Sequence, residues 1–263
     1  MRKQYQPEQV FAGKSMPSIK KQLIILLLAL ALYVAFSARD FIFLKSLSIT
    51  AIAAVVAESA ILYFKNKKLS LSESSIISGL IVGFVLSSDS RPAVLILASV
   101  FAISSKYLIR VNKRHIFNPA GLGILLAMLF FGANSEWRGT YLWSILLPAG
   151  FYLAYKIRKL SLVVSYFLCT FILFGAQALW QKTQLINILG VLSYFFIFIM
   201  LVEPKTTPLK TNLKIIFGAA VAGLIFILSN LRIRFDAELA SLLFLNLFVL
   251  FLNRLPEVKA IKI

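Results

Sequence analysis

The chain has 263 residues, 60% of them hydrophobic, with 28 Lys and Arg against 10 Asp and Glu. That apolar fraction exceeds what a soluble core needs, and the apolar stretches recur along the whole length, so the sequence reads as a polytopic membrane protein. The single cysteine, Cys169, excludes an internal disulfide and an iron–sulfur cluster, and the single histidine excludes a polyhistidine metal site. No metal is expected, and the basic residues come without a nucleic-acid-binding motif, so no nucleic acid is expected either.

A basic stretch, residues 1–20, opens the chain. Leu23–Ala35 follows with no small-residue cleavage site, which predicts an uncleaved first helix. Ten apolar segments are then expected, at 21–37, 41–64, 74–88, 92–109, 117–132, 141–155, 161–180, 185–202, 211–229 and 235–253. They divide into a five-helix half over 21–132 and a second over 141–253, with a basic tail at 254–263. Segment 3 is short and polar for a crossing, which takes about 20 residues. Segment 5 has about 13 apolar residues after Asn118-Pro119, again short for a span. Asn suits a helix N-cap and Pro the first helical position, so a helix starts there; Asp236 with Glu238 serves segment 10 in the same way.

With the N-terminus inside, 21 of the 28 basic residues fall on the cytoplasmic side. This asymmetry predicts ten crossings with both termini in the cytoplasm. The placement is that of a bacterial-type inner membrane, where the same residues face anionic lipid. Five segments per half turn the second half upside down. Phe84-Val-Leu-Ser-Ser-Asp-Ser-Arg-Pro92 and Met200-Leu-Val-Glu-Pro-Lys-Thr-Thr-Pro208 look like copies, each an apolar helix end, a polar linker and a proline. Inverted repeats place functional sites at the repeat interface, on interrupted helices.

Helices that start abruptly within a membrane protein are covered by protein or line a cavity, and their free N–H groups attract an anion or a carbonyl. Gly121 and Gly123 permit close approach, by a neighbouring helix or by a flat ligand. Glu58 lies inside segment 2 and is a candidate for an ion or proton pathway, or else for an internal ion pair or hydrogen-bonded acid. Glu73 opens segment 3, where the helix dipole favours an acid. His115 is read as interfacial and Cys169 as packing.

Four stretches carry a resemblance. They are Ser72-Glu-Ser-Ser-Ile-Ile-Ser-Gly-Leu-Ile-Val-Gly-Phe-Val-Leu, Ile103-Ser-Ser-Lys-Tyr-Leu-Ile-Arg, His115-Ile-Phe-Asn-Pro-Ala-Gly-Leu-Gly and Met200-Leu-Val-Glu-Pro-Lys-Thr-Thr-Pro. In this order they resemble the NqrB/RnfD membrane-subunit family over about residues 20–255, with Glu203 where the family's turn usually has Asp. The chain looks most like the stand-alone short members, of the UnbU type. The resemblance implies an all-α integral membrane fold of two inverted five-helix repeats with short or broken helices, similar to urea transporters. It also implies a link to flavin or quinone. Larger members attach FMN to the threonine of a Ser-Gly-Ala-Thr motif after the fifth helix. Here Gly132–Thr140 reads Gly-Ala-Asn-Ser-Glu-Trp-Arg-Gly-Thr, so no covalent flavin is expected at Thr140.

The leading expectation is a membrane component of a flavin- or quinone-linked electron-transport system, holding FMN, riboflavin or a quinone without a covalent bond. Glu73, Asn118, Gly121, Glu203, Thr206 and Asp236 are the candidate cofactor residues. The partners would be the bilayer and other redox subunits or flavoproteins. No nucleophile–base pair is present, so no self-contained active site is expected. The alternatives are a transporter or channel for a small solute or flavin between the repeats, and a structural anchor for soluble redox proteins; fold alone does not separate them.

Overall fold

The computed structural model describes residues 17–37, 39–67, 71–111, 114–231 and 235–252. Of the basic ends expected at 1–20 and 254–263, only Pro17 to Lys20 fall within the described residues. The chain is mostly helical: α1 (Ile19–Ser37), α2 (Phe41–Asn66), α3 (Glu73–Val85), α4 (Pro92–Leu108), α5 (Pro119–Phe131), α6 (Trp143–Lys156), α7 (Leu160–Trp180), α8 (Asn187–Val191), α9 (Thr211–Asn230) and α10 (Ala237–Leu252). A two-stranded hairpin, β1 (Arg110–Val111) with β2 (Arg114–His115), joins α4 to α5. Four helices, α1, α2, α7 and α9, are long and apolar enough to cross a membrane by length and composition. Their outward side chains are apolar: Ile52, Phe64, Ile172 and Ile227 are all exposed, a surface that suits lipid rather than water.

Helix starts follow the polar residues that precede them. The Asp40 side chain accepts from the Phe43 N–H, Ser72 from Ser74, and Asn118 from Gly121, each satisfying an orphan donor of a first turn. Asp236 accepts from both Glu238 and Leu239. Pro92 and Pro119 sit at first helical positions, where no N–H is needed.

Among the described residues, nine of the ten expected segments coincide with one helix each, their ends differing by at most three residues. Segment 8 differs. Helix α8 stops at Val191, Leu192 and Ser193 are not helical, and the helix resumes at Tyr194 and passes into a π turn over Phe196–Met200. Ser193 restarts it: its Oγ accepts from the Phe196 N–H and its carbonyl from Ile197. The Leu201 N–H then reaches back five residues to the Phe196 carbonyl, the wide turn typical of π bulges at functional positions. The π turn is buried throughout, so protein rather than lipid covers the irregular backbone.

The helices pack in two sets. Helix α2 lies against α3 and α4, and α4 against α5; α7 lies against α9, and α9 against α10. Helix α3 contacts α1 as the π turn contacts α6. Between the sets, α1 meets α6 and α5 meets α10. Close approach of α4 and α5 needs Gly123, where a Cβ would collide with the Ala98 carbonyl. At the centre, Phe84 of α3 stacks on Phe195 with ring centroids 5.0 Å apart, and Phe43 meets Phe84 edge-on at 5.2 Å.

The connections gather in two groups. In one, Arg138 pairs with Asp40 and with Glu136, Ser87 donates to Glu136, and Asp236 accepts from Ser135 and Trp137. In the other, Arg114 donates to Pro204, Lys159 to Pro208, and Lys214 to Arg158. The connections after α1, α3, α5 and α9 thus fall in one group, and those after α4, α6 and the π turn in the other.

Candidate functional site

A cavity of about 220 Å³ lies at the end of the molecule marked by Lys205. Three chain interruptions meet there. The start of α3 contributes Ser74 and Ser78, the start of α5 contributes Asn118 and Ala120, and the turn after the π segment contributes Glu203 and Lys205. Lys20 and Leu23 of α1 and His115 of β2 complete the wall.

The turn 203–208 is fixed by its own carbonyls. Thr207 Oγ1 donates to the Glu203 carbonyl at 2.7 Å. Arg114 donates to the carbonyls of Pro204 at 3.0 Å, Lys205 at 3.2 Å and Thr207 at 3.4 Å. Asn246 Nδ2 reaches Thr206 at 3.1 Å, and Lys159 Nζ reaches Pro208 at 2.7 Å. Each backbone acceptor of a turn at the edge of an apolar body thereby has a donor. Glu203 is held in place as a result, and Thr206 Oγ1 donates to its Oε2 at 3.3 Å.

Asn118 ties the site to the second half of the chain. It is buried, its Oδ1 accepts from Gly121, its Nδ2 donates to the Met200 carbonyl at 3.2 Å, and its own N–H donates to Asn246 Oδ1 at 2.9 Å. Asn246 in turn donates to Thr206, so one amide on α10 joins the α5 start to the turn.

Burial pushes the Glu203 carboxyl up to about 7, against the pull of Lys106, Thr206 and Lys205 in the other direction. His115 moves the opposite way, down to about 4, because of burial and then the neighbouring charges of Lys205 and Lys106. Its ring is therefore neutral at neutral pH, with Nε2 3.5 Å from Lys205 Nζ. The cavity combines an acid that titrates near neutrality, a neutral imidazole, two lysines and the start of α5. Such a wall can hydrogen-bond a polar ring edge and exchange a proton with it.

Of the candidate residues read from the sequence, Asn118 and Glu203 stand in this wall and Thr206 braces Glu203 from behind. Glu73 is the first residue of α3, beside the wall residue Ser74, and accepts from Ser18 Oγ at 3.5 Å. Gly121 faces a neighbouring helix: a Cβ there would meet Met200 Cε at 3.3 Å and Leu243 Cδ2 at 3.6 Å. Asp236 lies in the opposite group of connections, with Ser135 and Trp137. Glu58 is buried in α2, accepts from Tyr107 at 2.9 Å and stands 4.0 Å from Lys106 Nζ. Lys106 donates to the Ser74 carbonyl at 2.9 Å and to its Oγ at 3.1 Å, and so links Glu58 to the cavity wall.

Lys20 and Asn246 carry no site role in the sequence; Ser74, Ser78 and Lys106 lie in the stretches that carry the resemblance but are not among the candidate cofactor residues. A lone amide in the apolar run of α10 was the signal for Asn246, since such groups seek partners across helices.

The apolar exterior and the long apolar helices define a multi-pass membrane protein of helical class. A family model described as the NQR2, RnfD, RnfE family matches residues 8–143, just over half of the 263, and the chain belongs to that family. The match takes in α1 to α5 and the Asn118 helix start, and ends before the turn at Glu203. No curated protein matches the chain.

Proposed function

We propose that the chain is a membrane component of an Nqr- or Rnf-type electron-transport complex and holds a flavin or quinone ring, without a covalent bond, in the cavity between Ser74, Asn118 and Glu203. Family membership supports the electron-transport role. The observation that carries the site is the meeting of the α3 start, the α5 start and the clamped 203–208 turn in one cavity. Its volume of about 220 Å³ is below the roughly 300–1,000 Å³ usual for whole ligands, so it takes a planar head and leaves the tail outside. The cofactor would supply the redox chemistry. Asn118 would orient the ring, Lys20 and Lys205 would favour its reduced, more negative form, and Glu203 would hold or give up a proton at its carboxyl.

We also infer that the two halves are an inverted repeat, with both termini in the cytoplasm. In support, α2 with α4 packs as α7 with α9, α4 with α5 as α9 with α10, and α1 with α3 as α6 with the π turn. Both helix starts at Asn118 and Asp236 are capped in the same way. The cavity then opens at the cytoplasmic side, where soluble redox partners meet the membrane.

The test is the visible spectrum and the lipid extract of the purified protein. Absorption near about 450 nm that bleaches on reduction marks flavin, and a co-extracted quinone marks the other choice. A clean protein that carries neither, and that takes up neither when both are offered, overturns the redox role and leaves solute transport.

A further inference from the structure

Glu58 and Lys106 are buried behind the wall of the Ser74–Asn118–Glu203 cavity and stand 4.0 Å apart, too far for a hydrogen bond. Glu58 Oε2 is buried without a hydrogen-bond partner among the described residues. Polar groups this enclosed are nearly always satisfied, so the bare oxygen calls for a role. Its neighbours supply one. The Tyr107 hydroxyl donates to Glu58 Oε1 at 2.9 Å. Lys106 Nζ, 4.0 Å from that same oxygen, donates to Ser74 Oγ at 3.1 Å. Ser74 lines the cavity. Four proton-carrying groups thus run in file from Tyr107 to the cavity. Tyr107 is half-buried near the end of α4, beside Leu108, which is 81% exposed. An amphipathic ring in that place stands where the bilayer meets water.

We propose that Tyr107, Glu58, Lys106 and Ser74 form a proton-uptake route into the cavity from the rim of the membrane at the Lys205 end. The inference rests on the redox reading of that cavity. Two-electron reduction of a flavin or quinone ring takes up two protons, while the electrons come from the redox partner of the complex. A planar head that fills about 220 Å³ closes the mouth, so its inner edge draws protons from the protein side. The Lys106 ammonium gives a proton toward the ring through the Ser74 hydroxyl, which releases its own as it receives one. The neutral amine takes a proton from the Glu58 carboxyl, which is recharged through Tyr107 from water at the rim. One proton enters for each one delivered, and no phenolate or alkoxide forms. The flexible lysine stem closes the 4.0 Å gap by swinging between Ser74 and Glu58. Glu58 and Glu203 attract the Lys106 ammonium, Lys205 and Lys20 repel it, His115 lies beside it, and Arg110 faces Tyr107. Charges of both signs around Lys106 leave neither protonation state locked.

The full chain is purified in detergent, loaded with riboflavin or a short-chain ubiquinone, and reduced by dithionite in stopped flow at a series of pH values, in light and heavy water. Glu58→Gln and Tyr107→Phe are expected to slow ring reduction about tenfold or more and to change its pH profile and solvent isotope effect, with the quantity of bound ring and its reduction potential unchanged. Lys106→Arg, which keeps the charge but cannot release the proton, slows it likewise; if that variant does not fold, the other two decide. Tyr63→Phe, at an exposed tyrosine further along α2, is the control and leaves the rate as it is. Wild-type rates in either Glu58→Gln or Tyr107→Phe overturn the route. A ring-free arm separates this outcome from failure of the redox reading. The infrared carboxyl signal that Glu58→Gln removes should follow a pH jump, and Tyr107→Phe should slow that response about tenfold. An unchanged response in Tyr107→Phe overturns the route whether or not a ring binds. A slowed response in a protein that takes up neither ring supports the entry from the rim and overturns the redox reading alone.

Discussion

Asn118 Nδ2 donates to the carbonyl of Met200 at 3.2 Å, and through that bond the first half of the chain holds the end of the π turn in the second. The same side chain caps α5 through the Gly121 N–H. Asn118→Leu removes both bonds within a buried site, leaving a donor and an acceptor without partners. Each buried unpaired group costs about 1–3 kcal/mol, the lost cap being one of the two, so a loss of about 2–6 kcal/mol is expected. Ser90→Leu is the contrast, since Ser90 lies in a half-exposed linker where water replaces its contacts. Thermal unfolding in detergent should separate the two variants clearly. Equal melting temperatures would mean that the Asn118 bonds hold nothing.

Glu58 and Lys106 should behave as a coupled pair. Both are buried, and they stand 4.0 Å apart. Lys106→Met leaves the Glu58 carboxyl with Tyr107 as its one remaining donor, and breaking a buried pair in this way costs about 3–5 kcal/mol. Glu58→Gln is milder, because the amide oxygen still accepts from Tyr107 and Lys106 retains Ser74. The double variant should recover part of the Lys106→Met loss. Strict additivity in the double-mutant cycle would show that the two groups do not interact. If Glu58 also serves an ion or proton pathway, Glu58→Gln should slow turnover of the assembled complex and change its pH profile while the fold survives.

Glu203 predicts a pH dependence of defined sign. Its carboxyl is raised to about 7, chiefly by burial. Between about 4.5 and 7 the folded protein retains a proton that the unfolded chain releases, so stability falls as pH rises through that window. Below it the contribution is fully present. Glu203→Gln should flatten the curve there, read as the difference in melting temperature between pH 5 and pH 7.5. A wild-type curve that rises across the window as steeply as that of Glu203→Gln would place the carboxyl in its ordinary range.

Topology is open to labelling. The contacts that join Arg138 to Asp40, and Arg114 to Pro204, put alternate connections at opposite ends. A tag at either terminus should be protected in intact cells, and a cysteine placed at Trp137 should react from outside. Termini on opposite sides would remove one crossing and the inverted repeat with it.

Helix positions were legible because apolar runs bounded by Asn118-Pro119, by Asp236 and by Pro92 mark their own ends. The break in segment 8 was not, because residues 191–202 form a nearly unbroken apolar run. The interruption depends on Ser193 capping a new turn and on burial of Phe196–Met200 by the rest of the protein, and neither is a property of the local sequence. At the site, Glu203 and Asn118 stood out as polar groups beside apolar runs. Asp236 gave the same signal but lies at the opposite end, because five segments separate its helix start from that of α5. Lys106 lay in a stretch that carries the resemblance, but only packing showed it reaching the Ser74 carbonyl.

The most direct measurement is the quantity of flavin and quinone released when the purified protein is denatured. The account predicts close to one flavin or quinone per chain, freed from the polypeptide on denaturation, and a large loss of it in Ser78→Leu, which narrows the cavity while leaving the Asn118 cap intact. A flavin that stays on the denatured chain and disappears in Thr140→Ala would contradict non-covalent binding. A well-folded protein that yields neither molecule, and none after reconstitution, would contradict the central claim.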